Sequence, residues 1–424
     1  METLRDRDYF SDPGIVHDPA PYFTKLREES PVLREPRYGA VIVTSYDEVM
    51  DALNRPAEEL SNCVSVAGPI PPLPFEPQGD DIRAQVEAHR AELPWSAHLV
   101  SFDGAKHADH RILVTRLITP KRLKQNEDYL TGVADRLIDA FIARGRCEIV
   151  SEFAHAVSTL VIADLLGIPE AEREELLVLL GAPPTQIDGD PQDKVGADPL
   201  THLHARFVRY LAERQAAPQG DAMSELANAR FTDGRAPDVE VLAHLASFLF
   251  GAGQDTSARL IASAVRILAE DPALQARLRA ERHKIPDFLE ETLRIEAPVK
   301  VNFRLAQTRT RIGEVEVPAG AIVMNSLAAA NRDPAHFPDP DAFDIDRPGL
   351  REQLAFSRGA HACPGAPLAR LEARVAIERL LDRTAEIRIC EAEHGPADDR
   401  RYAYEPTYML RSLSQLHIDF TPAG

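Results

Sequence analysis

One tryptophan, five methionines and four cysteines are all that 424 residues hold of these types, and aromatic residues make up only 6%. The cysteines, Cys63, Cys147, Cys363 and Cys390, form no close pair. This spacing argues against a disulfide framework and against a zinc site built on neighbouring cysteines, and it fits a reducing, cytoplasmic compartment. Met1 to Asp6 alternates in charge without an apolar run, so we expect neither a signal peptide nor a membrane anchor. Positive charge is scarce: 48 Lys and Arg face 67 Asp and Glu, a net charge of −19. Whole-surface attraction to nucleic acid or anionic lipid is therefore not expected. No Gly-x-Gly-x-x-Gly follows a strand, so no nicotinamide or flavin segment is read. Neither a repeat nor a low-complexity tail breaks the chain, and we expect a single domain over residues 1–424.

What is present is helix. Hydrophobic residues reach 44%, enough for a sizeable core. Apolar periodicity predicts helices over 127–144, 152–166, 287–296 and 366–382. A longer one runs from about Val239 to Ala269, roughly 45 Å at 1.5 Å per residue, and its middle is apolar almost all round. Strand signals are few: 40–44, 301–306, a hairpin of 313–317 and 321–324 across Pro318-Ala319-Gly320, and an edge strand in 414–420. Proline-rich 69–77, the Gly/Pro/Asp-rich 181–199 and the turn-rich 331–350 read as loops. The fold class is mostly α with small β-sheets.

One segment carries chemistry. Phe356-Ser357-Arg358-Gly359-Ala360-His361-Ala362-Cys363-Pro364-Gly365 precedes an amphipathic helix beginning Ala366-Pro367-Leu368. A thiol of pKa about 8.5 needs help to ionise near neutrality. Gly359 and Gly365 allow backbone N–H groups close to the sulfur, and the following helix points its positive end there. A lone cysteine is usually a buried structural residue, which is how we read the other three.

The segment resembles the haem-binding loop of the cytochrome P450 family, Phe-x-x-Gly-x-x-x-Cys-x-Gly, with the histidine before the cysteine common in bacterial members. The resemblance implies the P450 fold, with haem b between the long helix and the cysteine loop, and Cys363 as axial ligand of the iron. Further motifs follow in family order. Gly251-Ala252-Gly253-Gln254-Asp255-Thr256 in the long helix resembles the oxygen-activation motif. By this likeness Thr256 and Asp255 are catalytic, serving oxygen binding and proton relay, while Ala252 and Gly253 border the haem with Phe356 and Gly365. Glu291-Thr292-Leu293-Arg294 resembles the family's Glu-x-x-Arg element, with Arg347 completing it as structural support. His107 and Arg111, one helical turn apart, with Arg304 and His361, fall where the haem propionates are expected to be bound; His110 lies on another helical face.

The activity implied is a soluble haem-thiolate monooxygenase that hydroxylates a small or medium lipophilic compound: terpenoid, steroid, fatty acid or aromatic. Substrate contacts are expected at 94–102 including Leu99, in the 181–200 loop, and at Phe248, Ala252, Val299, Val301, Tyr408 and Met409. Electrons would come from a separate ferredoxin or flavodoxin with its NAD(P)H reductase. Docking would use two basic groups that adjoin, Arg116/Lys121/Arg122/Lys124 and Arg358/Arg370/Arg374. Competing readings are a thiolate-haem peroxygenase or isomerase, against which the Asp255-Thr256 pair argues, and a non-catalytic haem-based sensor, for which no signalling module is read.

Overall fold

A computed structural model describes residues 7–180 and 201–423. The predicted long helix is a single element, Val239–Glu270, 32 residues or about 48 Å. Its flanks pack against His155–Leu165, Thr201–Ala216 and Ala366–Arg383, so it forms the centre of a helical layer. A helix so surrounded is apolar on nearly every face, as its composition indicated.

Helix ends follow local chemistry. The helix expected from residue 127 begins at Pro120 and runs to Ile142. Thr119 caps it by accepting from the Arg122 N–H at 3.3 Å, and proline suits the first turn because its missing donor would have no partner there. The Glu-x-x-Arg helix spans Ile285–Ile295. The predicted 152–166 helix divides into a π-turn, Val150–Ala154, and His155–Leu165.

The strands form three sheets. In the first, the order is β1 (Val32–Arg34), β2 (Val41–Val43), β8 (Ile322–Asn325), β5 (Asn302–Ala306), β3 (Leu60–Ser61). Only the β2–β8 pair is parallel. The expected 313–317/321–324 hairpin does not form. β7 (Val315–Val317) pairs instead with β6 (Thr310–Ile312) across Gly313, whose φ of 51° supplies the turn. The Pro318–Gly320 turn is real, but its two arms enter different sheets. All four residues of β8 are buried, and a fully buried strand needs neighbours on both sides.

The stretch expected at an edge is central: β10 (His417–Pro422) lies between β4 (Arg146–Glu148) and β9 (Thr384–Ile389). Residues 69–77 contain neither helix nor strand. Among the described residues, no helix is long and apolar enough to cross a membrane.

Candidate active site

The cysteine loop is shaped by two left-handed residues. Gly359 has φ 73°, and a Cβ there would lie 2.9 Å from the Leu53 carbonyl oxygen, so only glycine fits. Ser357 adopts φ 58° without being glycine, a strained conformation of the kind that clusters at functional sites. The Cys363 N–H donates to Phe356 O at 2.8 Å, closing the loop. Gly365, in contrast, has an ordinary φ of −79°. A Cβ there would reach only ordinary contact with Cys363 Sγ, at 3.7 Å.

Cys363 is exposed although it lies deep in the protein, as befits a side chain facing an internal cleft. Burial pushes its thiol up, while the N–H groups of Gly365 and Ala366 and the charges of Arg111 and Arg370 pull it down. These are the amides and the helix start that the loop sequence indicated.

Four donors gather beside this loop. His107 stacks on His361 with ring centroids 3.8 Å apart. Arg111, one turn along the helix Gly104–Thr115, donates to the Ala362 carbonyl oxygen. Arg304 on β5 is 3% exposed, and among the described residues its side chain bonds to Asn302 Oδ1 and its neighbour's carbonyl. Burial lowers all four: Arg304 to about 10, His107 to about 4, His361 to about 2, and Arg111 also downward. Mutual repulsion adds to the lowering of both histidines. Among the described residues no carboxylate bonds to any of them; the nearby Asp103 is engaged by Ser61, the Asn62 N–H and Arg90. A cationic donor set of this kind, part buried and part half-buried, fits a dianionic group such as the two propionates of haem. His110 lies apart, bonded to Lys106 O and packed on Phe102 and Phe231.

In the middle of the long helix, buried on either side, Ala252 is exposed and Gly251, Gly253, Asp255 and Thr256 are half-buried. This marks a cleft against the helix. The helix is not interrupted there: Thr256 Oγ1 donates back to Ala252 O at 2.8 Å. A Cβ on Gly253 would reach only ordinary contact with Ile162, at 3.5 Å.

Glu291 and Arg294 are fully buried and bonded through two contacts of 2.7 Å. Arg347 Nε approaches Glu291 Oε1 at 3.3 Å, and the Asp344 N–H reaches the same oxygen at 2.9 Å. Arg294 also donates to the carbonyls of Asn331, Pro340 and Ala342. Two guanidiniums and one carboxylate thus hold the turn-rich 331–347 stretch in place.

The expected substrate contacts divide. Phe248, Val299, Tyr408 and Met409 are half-buried. Val301 is wholly buried, because it packs with Phe303 and Met324 in a core cluster, and Leu99 is 7% exposed in the main core. Both therefore present less surface than the other four. Residues 181–200 lie outside the described residues.

Two of the helices that carry the basic groups, Pro120–Ile142 and Ala366–Arg383, pack together, with Arg374 bonded to Glu127 between them. Their charge is smaller than their residue count implies. Arg370 pairs with Glu290 at 2.5 Å and Arg122 with Glu225 at 2.5 Å. Arg116, Lys121 and Lys124 are the exposed remainder.

Among the buried ionisable groups that sequence reading does not single out are Glu372, Lys300 and Arg259. Glu372, on the helix after the cysteine, is pushed up to about 8 by burial, with Ser257 of the long helix as its partner. Lys300 is lowered to about 7 by burial and donates to Thr407 O at 2.7 Å. Arg259 bonds to Asp255. Their one local signal was a charge within an apolar pattern.

The chain is similar to known proteins. A family model described as Cytochrome P450 matches residues 208–391. Cytochrome P450 144 of Mycobacterium tuberculosis is 31% identical over 99% of this chain and 92% of its own length. Cyclomarin C epoxidase of Salinispora arenicola is 34% identical, covering 69% of this chain and 75% of its own. The solved structure of Mycobacterium marinum cytochrome P450 CYP150A6, substrate-free, superposes with a TM-score of 0.93 at 48% identity, covering 100% of both chains.

Proposed function

Because the chain belongs to the cytochrome P450 family, whose members are haem-containing monooxygenases, we propose that it binds haem b through Cys363 and hydroxylates a lipophilic substrate. The observation that carries this reading is the Cys363 thiol, met by the Gly365 and Ala366 N–H groups, beside two buried and two half-buried donors to which no carboxylate bonds among the described residues. When bound, the haem supplies the activation of O₂ and the transfer of one oxygen atom to a C–H bond.

The chain supplies the rest. Cys363 would hold the haem, and His107, Arg111, Arg304 and His361 would neutralise its carboxylates. Phe356, Gly365, Ala252 and Gly253 would border it. Thr256 presents a hydroxyl at the cleft wall, and Asp255 on the same turn carries protons inward from solvent. The half-buried Phe248, Val299, Tyr408 and Met409 make the cleft apolar, which favours a terpenoid, steroid, fatty acid or aromatic compound.

Electrons reach the protein from a ferredoxin or flavodoxin and its NAD(P)H reductase, docked over Arg116, Lys121 and Lys124. We place the enzyme in the cytoplasm as one domain over residues 1–424. The test is the absorption spectrum of the dithionite-reduced protein with carbon monoxide, for wild type and Cys363→Ser. A strongly red-shifted Soret band that depends on Cys363 is expected; a histidine-like band, or none, overturns the reading.

A further inference from the structure

The chain doubles back between Tyr404 and Leu413, which bridge each other, and three successive carbonyls in this loop are taken by donors from elsewhere. Thr407 O accepts from Lys300 Nζ at 2.7 Å, Tyr408 O from the Tyr9 hydroxyl at 2.7 Å, and Met409 O from the Lys300 N–H at 2.8 Å. The far end of Tyr408 is fixed as well, its hydroxyl donating to Ala67 O at 3.0 Å. The Val299–Leu410 bridge and the Arg411 N–H, which reaches Pro298 O at 3.0 Å, hold the residues that follow.

Both side-chain donors are deep in the protein, Lys300 and Tyr9 each 1% exposed. Tyr9 is wedged among Phe10, Tyr22 and Phe23, at ring-centroid distances of 5.4, 5.7 and 5.3 Å. Lys300 is the less expected of the two. Burial lowers its amine to about 7, Arg411 and Arg259 add to the lowering, and among the described residues no carboxylate bonds to it. A methionine of similar length would fill the same space without burying a polar group. What the amine adds is one bond, to the main chain of the loop.

Neither donor has the exposed surface to meet a substrate, so both act through the backbone that carries Tyr408 and Met409. Tyr408 is pinned at two ends, by Tyr9 at its carbonyl and by Ala67 at its hydroxyl, and a ring so held does not swing aside for a bulky ligand. We propose that Lys300 and Tyr9 are positioning residues that fix residues 407–409 and thereby restrict the cleft to slender or compact lipophilic substrates. This rests on the reading of Tyr408 and Met409 as cleft wall beside the haem.

Two measurements on the haem-loaded protein test it. Amide hydrogen exchange over 403–410, followed by mass spectrometry, is expected to quicken several-fold in Lys300→Met and in Tyr9→Phe, with Lys300→Arg restoring part of the protection. Unchanged exchange in both variants overturns the anchorage. Titration with 4-phenylimidazole and with the bulkier clotrimazole, followed by the Soret shift, gives a ratio of two affinities. Each variant is expected to move that ratio about fivefold towards clotrimazole, the equivalent of one ordinary hydrogen bond. General loosening would weaken both azoles alike and lower the melting temperature, and a ratio left at the wild-type value overturns the proposal alone. If neither azole shifts the Soret band of the wild type or the variants, the haem reading falls and the proposal falls with it.

Discussion

His107 lies face to face with His361, joining the helix Gly104–Thr115 to the cysteine loop through two imidazoles 3.8 Å apart. Both stay neutral far below the usual histidine range, His107 to about 4 and His361 to about 2, because burial and neighbouring cations oppose a second charge. The unfolded chain takes up those protons near pH 6.5. Stability contributed by the neutral pair is therefore present above about 6.5 and is lost as pH falls towards 4. We expect the urea midpoint of the haem-depleted protein to decline over that interval, less steeply in His361→Asn; equal slopes would contradict the assignment.

Glu372 has the opposite sign. Its folded value of about 8 lies above the ordinary 4.5, so the folded state holds the proton. The stabilising contribution is complete below about 4.5 and is lost as pH rises through about 8. Glu372→Gln mimics the neutral acid and should gain on wild type in melting temperature as pH is raised from 5 to 8.5. A difference independent of pH would show that Glu372 is already ionised.

The Glu291 carboxylate balances two buried guanidiniums, and removing it leaves both uncompensated. Glu291→Gln is expected to lower unfolding free energy by about 3–5 kcal/mol. Chemical denaturation checks this. A loss below about 1 kcal/mol would mean that the carbonyls around Arg294 and Arg347 suffice.

Thr256→Ala removes the hydroxyl that now donates to Ala252 O. Once a substrate is in hand, less product per electron and more peroxide are expected, with the spectrum of the carbon monoxide complex unaltered. Unchanged coupling would remove Thr256 from the reaction.

Charge reversal at Lys121 and Lys124 should slow reduction by an acidic ferredoxin and flatten its dependence on salt. Reversal at Arg122, which already faces Glu225, should do less. Stopped-flow reduction rates for the three variants, compared at low and high salt, decide the matter.

Features whose partners are close in sequence could be read directly. The cysteine loop is ten contiguous residues, and Glu291 with Arg294 needs only a helical turn. The long helix announced itself because burial on every side demands an apolar composition. Pairings across the chain could not be read in this way. The turn at Pro318–Gly320 was visible, but a turn fixes a reversal and does not choose the strand that follows it. Arg259 and Glu405, 3.0 Å apart, meet only because the chain around 405–410 returns against residues 299–300. Val301 alternates as a lining residue would, yet it packs inward. The helix start at Pro120 is not legible from apolar spacing, which becomes regular only later.

Gly359 leaves no room for a Cβ because the Leu53 carbonyl and the Asn54 side chain press on it from the helix Tyr46–Asn54. The seat that sets how far the sulfur projects is thus furnished by the opposite end of the polypeptide, from residues with no chemical signature of their own. A version trimmed to begin beyond Asn54 would keep every residue named in the cysteine loop and lose the surface it rests on. Such a protein should misplace its thiol before it loses its helices.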